Sequence, residues 1–168
     1  MSGIFRVHQF EKIEQFIICE PEKSWDVQDE MMTITEEFYK SLGLSYRVVN
    51  IVSGDLNNAA ARKYDLEAWF PTLGLYRELV SCSNCTDYQS KQLNIKYNKQ
   101  YVHMLNSTLI ATERTLCCLL ENYQTTDGIL IPDVLKPYIL STVNIIPYVR
   151  DCPKIKNDVK NKDKNIKC

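Results

Sequence analysis

The order of elements legible in this 168-residue sequence predicts an α+β fold, an antiparallel β-sheet flanked by helices. Two observations carry that prediction. Strand-like runs follow one another, several of them as hairpins, and stretches with the helical period stand between and after them. No internal repeat competes with this reading.

The first strand is expected over Phe10 to Cys19, where β-branched and aromatic residues are dense; Pro21 and the acidic residues around it close it. From Ser24 the period changes: Val27, Met31, Ile34, Phe38 and Leu42 fall at helical spacing, with Ser24 as N-cap and Gly43 as the stop. Tyr46 to Val52 predicts a second strand ending at Ser53-Gly54. Tyr64 to Phe70 alternates Asp65 and Glu67 against Leu66 and Ala68, and Pro71 ends it. Pro71 to Gly74 predicts the hairpin connection into a strand over Leu75 to Ser81. A short helix is expected over Asp87 to Leu93, then two short strands over Leu93 to Tyr97 and Tyr101 to Leu105. A long helix runs from Thr112 to Gln124, with Leu116, Leu119, Leu120 and Tyr123 on its apolar face. Gly128 and Pro132 punctuate the next stretch, and a short helix is expected to include Val134 to Tyr138.

Composition is that of a globular domain: 45% hydrophobic, 24% charged, net charge −1, so the total announces no nucleic-acid binder. The charge is unevenly placed, however. Residues 151–168 carry +3 and the first 150 carry −4, which divides the chain into a domain over 1–149 and a lysine-rich, disordered tail over 150–168. No window approaches 18 consecutive apolar residues and the N-terminus has no secretory pattern, so no membrane association and a cytosolic location are expected. Seven Cys, two of them adjacent in a helical run, suit reduced buried thiols rather than a disulfide framework. Cys82-x-x-Cys85 has no second ligand pair at zinc-ribbon spacing, so no zinc is expected. The two histidines, His8 and His103, have no triad partners, and no phosphate-binding Gly-rich loop is present.

Three longer stretches go beyond fold class. "GIFRVHQFEKIEQF" (Gly3 to Phe16) resembles the second strand of motif 2 in seryl-tRNA synthetases, a class II aminoacyl-tRNA synthetase family. "YDLEAWFP" with "YRELVSCSNCTDYQ" (Tyr76 to Gln89) resembles its ATP and metal strand. "HMLNSTLIATERTLCCLLENYQ" (His103 to Gln124) resembles its motif 3. The match is almost collinear from Gly3 to about Tyr148, and the "SCSNCTDYQ" wording leans toward the cytosolic eukaryotic branch.

The resemblance implies a set of site residues. It assigns ATP to Arg6, Val7, His8, Gln9 and Phe10 and to Glu78, Leu79, Val80, Ser81 and Arg114. Phe10 offers an aromatic face to adenine, although a core aromatic is the plainer reading of the residue alone. Glu78 and Ser81 are implied as Mg²⁺ ligands, hard oxygens suited to that cation. Arg114 is implied to hold the γ-phosphate, which a guanidinium can bind through two parallel bonds; pairing with Glu113 or Glu121 along the helix is the alternative. Arg114 and Glu78 are thus the implied catalytic residues. Glu14, Asn106 and Thr108 are implied serine contacts, against a solvated glutamate and helix-capping polar residues as alternatives. Glu14 is expected to share a strand face with Phe10 because side chains alternate with period two.

The implied activity is that of a serine–tRNA ligase: ATP-dependent formation of seryl-adenylate, then transfer of the seryl group to serine tRNA. L-serine, ATP, Mg²⁺ and serine tRNA are the implied substrates and partners, and a homodimer is implied for the full-length protein. The family's first motif 2 strand, motif 1 and helical arm have no counterpart in these residues. The expectation is therefore a C-terminal part of a catalytic domain that is inactive or weakly active alone. Two alternatives stand beside it: a catalytically inactive synthetase-derived fragment acting as a nucleotide- or protein-binding module, and a synthetase of another amino-acid specificity.

Overall fold

The structure, a computed structural model, describes residues 5–139 and 143–150. The expected tail lies, apart from Arg150, outside the described residues. In chain order the strands are β1 (Lys12–Cys19), β2 (Tyr46–Asn50), β3 (Arg62–Phe70), β4 (Leu75–Asn84), β5 (Lys96–Tyr97), β6 (Gln100–Tyr101), β7 (His103–Ala111), β8 (Gly128–Leu130) and β9 (Ile145–Pro147). The helices are α1 (Ser24–Ser41), α2 (Tyr88–Leu93) and α3 (Thr112–Tyr123). Five strands make one sheet in the order β1-β7-β4-β3-β2, every neighbouring pair antiparallel. The α+β expectation holds.

One face of this sheet is apolar and covered by helix. Leu66, Ala68 and Phe70 of β3, Val80 and Cys82 of β4 and Leu105 of β7 pack against Met31, Met32, Tyr39 and Leu42. The buried stripe of α1 differs from the expected one: Ile34 is 44% exposed, whereas Gln28 and Thr35 are fully buried. The helix is rotated because these polar residues find partners underneath. Gln28 Nε2 donates to the carbonyls of Arg62 (3.2 Å) and Cys82 (3.1 Å), and its Oε1 accepts from Arg62 Nε at 2.7 Å. A buried amide satisfied on both ends costs little, so periodicity of apolar residues alone misplaces the stripe.

The helix ends are sharper than the sequence suggests. Ser24 is the first helical residue, following a 3₁₀ turn over Pro21–Lys23, and not the N-cap. Its hydroxyl donates to the Pro21 carbonyl (3.0 Å) and so accepts from His103 Nδ1 (2.7 Å). Gly43 terminates α1 as expected, with φ +69°, a left-handed conformation that costs any other residue energy. An added Cβ there would stand 2.5 Å from Tyr123 Oη, which donates to the Leu42 carbonyl at 2.7 Å and ties α3 to the end of α1. Gly43→Ala is therefore expected to lower unfolding free energy by about 2 kcal/mol, combining the left-handed penalty with a weakened hydrogen bond. Urea unfolding checks this.

The largest departure from expectation is β7. The sequence predicts a short strand ending at Leu105 and then helix-capping polar residues. The strand instead runs unbroken from His103 to Ala111, directly into α3, and is the sheet's link between β1 and β4. Ser107 and Thr108, at 0% and 5% exposure, are interior strand residues. Of the two expected short strands, Leu93 to Tyr97 is cut back to β5, paired with β6, and Tyr101 to Leu105 runs from the end of β6 into β7; β8 and β9 pair across a connection that contains the 3₁₀ turn over Asp133–Tyr138.

Candidate active site

The opposite face of the sheet holds a cavity of about 270 Å³. It is lined by residues that include Phe5, Arg6, Phe10, Lys12, Glu78, Ser81, Thr108, Glu113 and Arg114. A second hollow of about 220 Å³ adjoins it, sharing Phe5, Arg6, Glu78 and Arg114 and adding Glu67, Tyr76 and Arg77.

Two β-bulges build this cavity. Glu78 and Ser81 lie three apart, an odd spacing that in a regular strand points side chains to opposite faces. The register of β3 against β4 shifts at that point: Glu67 stands opposite Glu78, but Leu66 stands opposite Val80, leaving Leu79 as the extra residue. Glu78 and Ser81 thereby line one cavity. The same device recurs between β1 and β7. Ile13 faces Ile110 while Glu14 faces Thr108, so Leu109 is the extra residue, and Thr108 and Ala111 reach the same cavity.

Arg114 projects from the first turn of α3. Its Nη1 donates to the Glu78 carbonyl at 3.2 Å and lies 3.6 Å from Glu78 Oε1, while Nε is 3.9 Å from Glu113 Oε1. Its guanidinium also covers the Phe5 ring at 5.1 Å. These are long ion-pair distances. A group with five donors is held in position here without being saturated.

Thr108 Oγ1 donates to Glu14 Oε2 at 3.0 Å, and Lys12 Nζ lies 2.5 Å from the same oxygen. This joins β1 to β7 at the cavity's edge. The expected reason for grouping Glu14 with Phe10 fails: β1 begins at Lys12, leaving Phe10 ahead of the strand. Thr108 is what connects them, since it lines the cavity with Phe10 and holds Glu14.

The other expected residues are distributed unevenly. Arg6, Val7 and Leu79 line the cavity, whereas Val80 is fully buried beneath it, on the apolar face. His8 and Gln9 are exposed and outside the lining. Asn106 shares the face of Thr108 on β7 but donates to Cys85 Sγ at 3.6 Å, away from the lining. Cys82 and Cys85 are free, buried thiols, and burial pushes both above the ordinary thiol value.

Two carboxylates that the sequence did not single out are exceptional. Asp65 Oδ1 and Glu113 Oε2 are buried atoms with no hydrogen-bond partner. Glu113 lines the cavity beside Arg114. Asp65 lies opposite Ser81 in the β3–β4 register. Burial, then the charge of Glu78, push the Asp65 carboxyl above its ordinary value, against the opposing effects of Lys63 and Ser81.

An antiparallel sheet with a helix entering directly from one of its interior strands, and arginine and carboxylate at that junction, matches a known catalytic core. Residues 1–123 match the model of the tRNA synthetase class II core domain shared by the G, H, P, S and T enzymes, and the chain belongs to that family. Within it, the chain resembles serine–tRNA ligases. It is 63% identical over 166 residues to the cytoplasmic serine–tRNA ligase of Candida albicans, covering 94% of this chain and 36% of that protein. The crystal structure of the cytoplasmic serine–tRNA ligase of Naegleria fowleri in complex with AMP superposes with a TM-score of 0.83 at 59% identity, over 88% of this chain and 36% of that one. Seryl-tRNA synthetase from Pyrococcus horikoshii complexed with ATP gives 0.79 at 50% identity, over 82% and 32%. The chain thus spans about a third of the length of the relatives it matches.

Proposed function

We propose that this chain carries the nucleotide and serine sites of a cytoplasmic serine–tRNA ligase, activating L-serine with ATP for transfer to serine tRNA. The observation that carries the reading is the double-bulged cavity: it gathers Arg114, Glu78, Ser81, Phe10 and Thr108 from three separate stretches of sequence. Relatives named as cytoplasmic serine–tRNA ligases, and neighbours solved with AMP and with ATP, support it. A homodimer of the whole protein belongs to the same reading.

Each residue's part follows from its chemistry. Phe10 stacks on adenine, and its 46% exposure leaves a ring face for a flat ligand. Arg114 meets the terminal phosphate and Arg6, on the same cavity wall, adds positive charge. Glu14, held by Thr108 and Lys12, receives the polar head of serine. The serine carboxylate then attacks the α-phosphate in line, and the pyrophosphate leaves on the side held by Arg114. No general base is required, because catalysis of this kind rests on positioning and on neutralising charge.

The donor set at Glu78 and Ser81 fits Mg²⁺. Both offer hard oxygen to one cavity. Among the described residues no group of three or more His, Cys, Asp or Glu side chains gathers for a metal. Two protein oxygens leave the remaining positions to phosphate and water, the arrangement Mg²⁺ favours. Bound there, the cation neutralises phosphate charge.

Titration with ATP and a panel of amino acids, together with amino-acid-dependent pyrophosphate exchange, tests the reading. ATP binding with a preference for serine is expected. ATP binding with no preference among amino acids would turn the reading to a nucleotide-binding module.

A further inference from the structure

β4 pairs with β7 over Cys82–Asn84 alone, so among the described residues Leu75–Ser81 has a strand only on its β3 side. Arg114 reaches this stretch from α3 through the Glu78 carbonyl. Phe5 stands at the same place. Its ring meets the buried Phe70 ring edge-on, with centroids 5.6 Å apart and planes at 77°, and it packs on the core cluster. Two guanidiniums lie over that ring: Arg114 Cζ is 5.1 Å from its centroid and Arg77 Cζ 5.2 Å. Phe5 also lines both hollows, as does Arg6 beside it in the chain.

An arginine near carboxylates is ordinarily taken by one of them. Charge-assisted N–H···O bonds close to about 2.7–2.9 Å and, when made in pairs, commit two of the guanidinium's donors. Arg114 has Glu78 Oε1 at 3.6 Å and Glu113 Oε1 at 3.9 Å, and has closed on neither. An aromatic face works differently. It attracts the charge as a whole, to within about 6 Å of the ring centre, and claims no particular N–H. The ring thus holds the cation in place and leaves Arg114 with donors for a ligand. Two guanidiniums on one ring also repel each other, a cost that an anion beside both relieves.

Resting on the reading of Arg114 as a phosphate-binding group, we infer that Phe5 is a positioning residue for it: the core fixes the Phe5 ring, and the ring seats the Arg114 and Arg77 guanidiniums for the outer phosphates of ATP. Phe5 touches no phosphate itself and acts through the two arginines. A ring that only filled the core would need no cation over it, and leucine would serve as well.

Isothermal titration with ATP and with AMP, accompanied by urea unfolding of each variant, is the test. Phe5→Leu keeps apolar bulk against Phe70 and removes the ring face. It is expected to weaken ATP binding about tenfold, the scale of two cation–π contacts, and to leave AMP within about twofold. Phe5→Tyr keeps the face and should bind ATP within about twofold of the unsubstituted chain. In an Arg77→Ala/Arg114→Ala background Phe5→Leu should cost nothing further, because both routes to the phosphates are gone. If Phe5→Leu fails to fold, Phe5→Met, which also fills the space without a ring, enters the same comparison and decides it the same way. Undiminished ATP affinity in the ring-less variant overturns the inference. So do equal losses for ATP and AMP, a tyrosine variant as weak as the leucine one, or a loss that persists without the two arginines. If Arg114→Ala itself leaves ATP binding untouched, the phosphate reading of Arg114 falls and the inference goes with it; if Arg114→Ala weakens ATP and Phe5→Leu does not, the inference falls alone.

Discussion

Replacing Arg114 with alanine is expected to weaken ATP binding by about a hundredfold while leaving AMP binding within about twofold. The size follows from losing two charge-assisted hydrogen bonds of roughly 1.5 kcal/mol each in a partly enclosed site. The contrast between nucleotides follows from geometry. Arg114 stands where the two hollows meet, sharing both with Glu78 and Arg6, whereas Phe10 lines only the first. On the proposed reading, with adenine stacked on Phe10, the phosphates would extend toward Arg114 and the longer nucleotide would depend on it more. Arg114→Lys should recover little, because an ammonium cannot reproduce two parallel bonds.

The alternative, that Arg114 is simply paired along its helix, meets two difficulties. Glu113 is 3.9 Å from Arg114 Nε, beyond hydrogen-bond distance, and Glu121 accepts instead from the backbone N–H of Thr72 at 3.1 Å. Equal losses for ATP and AMP would nonetheless favour a cavity-wall role for Arg114 over a phosphate contact. Isothermal titration with both nucleotides makes the distinction.

The elements that were legible in the sequence are those whose own chemistry decides them. Gly43 stops α1 because only glycine tolerates its conformation cheaply, and the Pro71–Gly74 turn joins β3 to β4 because its residues suit a reversal. The bulges were not legible. Counting back from that turn places Asp65 opposite Val80; the structure places it opposite Ser81, and a one-residue slip moves a side chain to the other face. The odd spacing of Glu78 and Ser81 was the available signal, since a shared site for both requires an irregularity between them. β7 departs from its local signals for a related reason. Asn106, Ser107 and Thr108 are cap-forming residues by local propensity, and only the partners supplied by β1 and β4 make them strand. Arg114, Glu78 and Thr108 were identified through resemblance, and without the register nothing local would have grouped them or added Asp65.

The second large effect is expected at Glu14, on the reading that the chain activates serine. Glu14→Gln should raise the KM for serine by about 10- to 100-fold in pyrophosphate exchange, on the scale of one strong charged hydrogen bond, and leave the KM for ATP unchanged. A solvated strand glutamate would predict no change in either. The geometry speaks against that alternative: the Glu14 side chain is 17% exposed, fixed by Thr108 Oγ1 at 3.0 Å and Lys12 Nζ at 2.5 Å on one oxygen. Thr108→Val keeps the shape of its neighbour and removes only the donor, so it should produce a smaller rise in serine KM with the same silence toward ATP. The order of effects matters as much as their size. If Thr108→Val proved the more damaging of the two, serine would be contacting Thr108 directly, and Glu14 would be the residue that holds it in place.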